Sequence, residues 1–100
     1  MTTIKTQPYD AAEYLDTEEK QRAFLVAALD ENDADFFAHA VGIVIRARGA
    51  TYVAREAGIS RASIYKSFRE GGNPEFGTMM RVLQVLGITL TAAPAPKAAA

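Results

Sequence analysis

Residues 51–68, TYVAREAGISRASIYKSF, leave few folds open to this chain. They read as two short helices with a tight turn between them. Thr51 has a hydroxyl placed to accept from a free backbone N–H one turn into the first helix. Residues 52–57 carry that helix, and Val53, Ala54 and Ala57 fall together on one face. Gly58 supplies the left-handed residue that ends a helix without a Cβ clash. Ile59 plugs the turn with an apolar side chain. Ser60 caps the second helix, from Arg61 to about Phe68, in which Ile64 and Phe68 lie one turn apart and face inward. Arg61, Ala62, Ser63, Tyr65 and Lys66 are left facing outward or along the flank.

That order resembles the helix-turn-helix of DNA-binding proteins. Ala54 must be small because the second helix crosses close above it, and Ile59 and Ile64 hold the two helices at their angle. The outward set is short, polar and positive, which suits a helix entering a major groove. Serine and arginine reach base edges; lysine, arginine and tyrosine reach phosphates. The candidate DNA-binding residues are therefore Ser60, Arg61, Ser63, Tyr65 and Lys66, with Arg55 and Arg69 on phosphates. In one place the chain departs from the usual pattern. Ser67 stands where an apolar residue normally follows Ile64 by three, and Phe68 takes the packing role. The competing reading is an ordinary helical hairpin with a glycine turn.

One hundred residues correspond to one domain, and about half of them are apolar, enough for one modest core. There is no cysteine, hence no disulfide framework and no thiolate zinc site. No apolar run spans a membrane and no secretory signal is visible, so a soluble cytoplasmic protein is expected. The formal net charge of −1 matters less than its distribution. Residues 10–35 hold nine acids and two bases, whereas residues 46–69 hold six bases and one acid. The basic half coincides with the two-helix stretch, which favours DNA as its partner. The acidic half is either a solvated helix face or a surface for a basic protein.

Taken in order, residues 1–9 read as a flexible arm, residues 10–92 as the domain and residues 93–100 as a disordered, low-complexity tail. Asp10 is placed to cap a short helix over residues 11–15. Thr17 caps the next, which opens with Glu18 and Glu19 where negative charge suits a helix N-terminus. Its stripe is Phe24, Leu25, Ala28 and Leu29. Asp33 caps a central helix over residues 34–48, with Phe36, Phe37, Ala40, Val41, Val44, Ile45 and Ala47 on a wide apolar face. Gly49 ends it. Its His39 has no second histidine or cysteine with which to share a metal, so it reads as a surface or packed side chain. After a Gly71-Gly72 break, Asn73 caps and Pro74 opens the last helix, which runs to about Leu86. Phe76, Met79, Val82, Leu83 and Leu86 are its expected buried face. Residues 88–92, ITLTA, alternate apolar and polar and read as one short strand. Such a strand either pairs with another chain or packs on the core as an extended tail.

These stretches together resemble the probable addiction-module antidote family, a set of small Xre-type, HigA-like helix-turn-helix antitoxins. The resemblance runs from Tyr9 to about Thr91. It rests on YDAAEYLDTEE, ALDENDADFFAHAVGIVIRARG, VAREAGISRASIYKSF and EGGNPEFGTMMRVLQVLGITL. It implies an antitoxin of a toxin–antitoxin pair that binds its operator DNA as a homodimer and represses the pair. It also implies a cognate small basic toxin of RelE/HigB-like type, basic because it acts on RNA, which an acidic antitoxin surface would cover. The expected architecture is all-α, a five-helix repressor-like bundle with a helix-turn-helix and a short C-terminal β-strand. No cofactor, metal or membrane partner is expected. Nor is an enzyme: there is no nucleophile paired with a histidine, no metal cluster and no phosphate loop. Two rival readings are a phage-like repressor without a toxin partner and a protein-interaction domain that has lost DNA binding.

Overall fold

A computed structural model describes residues 11–96. It contains a short 3-10 turn, Ala11–Tyr14, and five helices: α1 (Glu18–Asp30), α2 (Ala34–Arg48), α3 (Ala50–Ala57), α4 (Arg61–Phe68) and α5 (Phe76–Val85). The expected five-helix architecture is present. The caps at Asp10 and the arm before it lie outside the described residues, as does the tail from residue 97.

Polar caps set three of the helix starts. The Thr17 hydroxyl accepts from the Lys20 N–H at 3.1 Å. The Asp33 carboxylate accepts from the Phe36 N–H at 3.1 Å, and the Ser60 hydroxyl from the Ser63 N–H at 3.0 Å. Each satisfies a donor that the first helical turn leaves without a partner.

α2 is the central helix. Val41 and Val44 are fully buried on it, and Ile45 nearly so. α1 packs along one side, while α3 and α4 pack on the other, and α3 in turn packs on α5. Leu25, Val53, Ile64, Phe68, Val82, Leu83 and Leu86 close the core around α2. Each such side chain contributes on the order of 1.5–3 kcal/mol by leaving water. Gly42 is what lets α4 approach: a Cβ there would collide with the carbonyl oxygen of Phe68.

One buried polar group ties the N-terminal half together. Gln21 is 4% exposed. Its side-chain amide donates to the Leu15 carbonyl at 2.9 Å, and its carbonyl accepts from Arg48 Nε at 2.8 Å. Gln21 thus links the end of the 3-10 segment, α1 and the last turn of α2. The Arg48 side chain is only 12% exposed and lies 3.9 Å from Glu18, so it belongs to the interior of the fold.

Four expectations from the sequence are corrected. First, α3 begins at Ala50, and Thr51 is an exposed first-turn residue, not its cap. α2 and α3 are separated by Gly49 alone, whose φ of 112° only glycine adopts readily. Gly49 donates to Ile45 at 2.8 Å and accepts from Val53 at 3.0 Å, so it ends one helix and starts the next. Second, α5 begins at Phe76 with Glu75 before it, without a side-chain cap. The chain turns at Gly71 and Gly72, with the Gly72 N–H on the Arg69 carbonyl at 2.8 Å. Pro74 therefore falls in the loop before the helix.

Third, several residues expected inside are outside. Phe76 is 72% exposed, and Leu29 and Phe36 are each 45% exposed. Their helices bury narrower stripes than the apolar pattern suggests. Fourth, residues 88–92 form no strand; among the described residues there is no strand for them to pair with. Their alternation is used differently. Ile88 and Leu90 pack half-buried on the core while Thr89 and Thr91 face out. The Ile88 N–H returns to the Leu83 carbonyl at 2.9 Å and locks the end of α5.

Candidate nucleic-acid interface

The α3–α4 unit is built as its sequence suggests, apart from the shifted start. Gly58 has φ 70° and ends α3. Its N–H reaches the Arg55 carbonyl at 3.2 Å, and the Ile59 N–H reaches the Ala54 carbonyl at 3.0 Å. That pair of bonds is the Schellman arrangement, and Ile59 supplies its apolar contact with the core. Val53, Ala54 and Ala57 are buried on α3, and Ile64 and Phe68 on α4. Phe68 is thus the packing residue and Ser67 is half-buried.

What remains outward on α4 divides into two sets. Ser60, Ser63, Lys66 and Arg69 line a groove of about 780 Å³ whose far wall is Thr78 and Arg81 of α5. Residues 71–73 and one carboxylate, Glu75, also line it. The Ser60 hydroxyl donates to Ser63 Oγ at 2.9 Å while accepting from the Ser63 N–H. Ser60 is therefore largely spent as a cap, and the free proton of the pair belongs to Ser63. Arg69 Nε donates to the Lys66 carbonyl at 3.3 Å, the last turn of α4, where a cation meets the negative end of the helix dipole.

The second set is Arg61 and Tyr65, on the outer edge. Arg61 Nη2 donates to the Tyr65 hydroxyl at 3.0 Å, and its guanidinium lies 5.3 Å from the centre of the Tyr65 ring. The two side chains form one unit folded back along the helix. Arg55 does the same on α3, 5.9 Å from the Tyr52 ring and 3.6 Å from Glu56. All seven candidate residues are exposed, but only Ser60, Ser63, Lys66 and Arg69 line the one groove.

Arg81 was missed by sequence reasoning. It is the only basic residue of α5, placed between the apolar positions of that helix, and only the packing of α5 on α3 brings it to the groove. Arg48, one of the six bases of residues 46–69, is committed to Gln21 and Glu18 inside the fold. Among the described residues no group of three or more His, Cys, Asp or Glu is gathered as a metal site, and no helix is long and apolar enough to cross a membrane.

A small helical domain with this exposed α4 surface defines the class, and comparison with known proteins defines the family. The chain belongs to the family described as "probable addiction module antidote protein", whose model matches residues 5–94. It is also 37% identical over 86 residues to a Haemophilus influenzae protein described only as an uncharacterized protein, covering 86% of this chain and 89% of that one. No solved structure matches it. An antidote of an addiction module has a toxin as its partner.

Proposed function

We propose that this antidote neutralises a small basic toxin of RelE/HigB-like type and represses its own operon, binding operator DNA as a dimer through a helix-turn-helix formed by α3 and α4. In this reading the chain works by binding and not by catalysis, in the cytoplasm. The observation that carries the DNA half is the division of α4. Ile64 and Phe68 hold one face in the core, while Ser63, Lys66, Arg69 and the Arg61–Tyr65 pair stand on the other. An eight-residue helix is roughly 12 Å long, about the width of a B-DNA major groove. In this reading Ser63 and, once released from Tyr65, Arg61 read base edges, and Lys66, Arg69, Arg55 and Arg81 hold phosphates.

The test is fluorescence anisotropy with DNA from the chain's own promoter, at two salt concentrations, against scrambled DNA, with and without the toxin encoded beside it. Salt-dependent binding that prefers the promoter, shifted by the toxin, is the expected result. Equal affinity for scrambled DNA, with the toxin still bound, would make α3–α4 a scaffold and remove the repressor half of the reading.

A further inference from the structure

On the other side of the loop 71–74 from the cationic groove lies a second, mainly apolar cleft of about 410 Å³. Gly72 and Asn73 line both. Leu29, Met79 and Leu90 form its apolar wall, and Phe76, 72% exposed, stands at its edge. Asp33 and Asp35 are part of its lining, and Asp30 and Glu31 stand exposed beside them in the chain. No Lys or Arg occurs from position 23 to position 45. Elsewhere in the acidic half Asp16 is engaged by Lys20 and Glu18 by Arg22 and Arg48, while Glu13 and Glu19 stand apart from this corner. Among the described residues no ion pair holds Asp30, Glu31, Asp33 or Asp35.

A largely apolar cleft with a carboxylate rim repels a nucleic acid. It fits a protein that offers an apolar side chain between cations. We propose that this cleft is the docking surface for the toxin, which seats an apolar side chain against Phe76 and Leu29 and sets lysines or arginines against Asp33 and Asp35. The inference rests on the antitoxin reading above and names the surface that serves it. Because residues 72 and 73 wall both cleft and groove, a toxin seated here abuts the DNA surface through one short loop.

Two single substitutions at exposed positions test it, Phe76→Ser and Asp35→Lys, with Val26→Ser as control. Val26 is 57% exposed, apolar and outside the cleft. The full chain and the purified toxin encoded beside it are titrated by calorimetry. Promoter anisotropy and sedimentation of each variant alone complete the set. Phe76→Ser and Asp35→Lys are expected to weaken toxin binding at least about tenfold, the loss seen when a central anchor is truncated. Val26→Ser leaves toxin affinity unchanged, and all three fold and bind promoter DNA as the parent does, with Asp35→Lys melting somewhat lower because a cation is unfavourable in the first turn of α2. Toxin bound equally by parent, Phe76→Ser and Asp35→Lys would overturn the cleft assignment while leaving the antitoxin reading intact. A parent chain that does not bind the toxin at all would overturn both. If Phe76→Ser dissociates a homodimer without touching toxin affinity, the occupant is a second copy and the proposal fails.

Discussion

Arg61 and Tyr65 show how a single contact shapes a prediction. Arg61 lies along its own helix, hydrogen-bonded to the Tyr65 hydroxyl and stacked near its ring. To reach a base it must leave that position, at a cost of about 0.5–1 kcal/mol for an exposed cation–π pair. A bidentate contact to a base more than offsets this. Arg61→Ala is expected to weaken promoter binding by roughly 1–3 kcal/mol and to relax base choice at one position. Anisotropy across a panel of single-base operator variants checks it; an equal loss on every sequence would make Arg61 a phosphate contact. Asp16 supplies a pH prediction of the same scale. The hydrogen bond from Lys20 at 3.0 Å, with its charge, holds the Asp16 carboxyl below the ordinary aspartate value. A depressed carboxyl stabilises the fold above its unfolded pKa and loses that contribution as pH falls through the folded value. The pair is exposed, so the effect on stability is small. Lys20→Ala is expected to raise the Asp16 pKa, read by NMR titration of its side-chain carboxyl.

At the scale of elements, the closeness of α2 and α4 is the most exacting demand. Gly42 allows the Phe68 carbonyl to lie against α2. Gly42→Ala improves helix propensity by about 1 kcal/mol but drives a methyl group into backbone. Overpacking of that kind costs typically about 1–3 kcal/mol, so a net loss in urea denaturation is expected, with a fall in promoter affinity as α4 shifts. Both the elements and their weak points were readable to different degrees. Thr17, Asp33 and Ser60 cap where they stand because a hydroxyl or carboxylate before an apolar-periodic run has one local use. Gly58 and Ile59 close the α3–α4 turn for the same reason. Thr51 failed as a cap because nothing local says that α2 and α3 abut through one glycine. Periodicity puts Phe76 and Leu29 in the core because it reports that a face is apolar and not what covers it. Residues 88–92 carry a strand's alternation, yet in this fold the alternation serves a tail lying on helices. Gln21, Arg48 and Arg81 could be placed only once distant helices were brought together.

Across the whole molecule, charge is segregated: α4 and its neighbours are cationic outside, and the α1–α2 corner is acidic. A net charge of −1 therefore does not describe what an approaching polyanion meets. Phosphate contacts leave a quantitative trace, because each neutralised phosphate adds about 0.9 to the slope of log affinity against log salt. Lys66→Ala and Arg81→Ala are each expected to lower affinity for promoter and scrambled DNA alike and to reduce that slope by about 1. An unchanged slope for Arg81→Ala would place α5 away from the DNA backbone.

The single glycine between α2 and α3 also governs what insertions the chain tolerates. A helix advances about 100° per residue, since 3.6 residues make a turn. With Gly49 alone at the junction, the rotational phase of α3 about its axis is slaved to that of α2. One extra residue taken up into α3 would swing Val53, Ala54 and Ala57 away from the core and carry Arg55 to a new bearing. The junction works as a keyed shaft, and slack in chain length has to be found elsewhere.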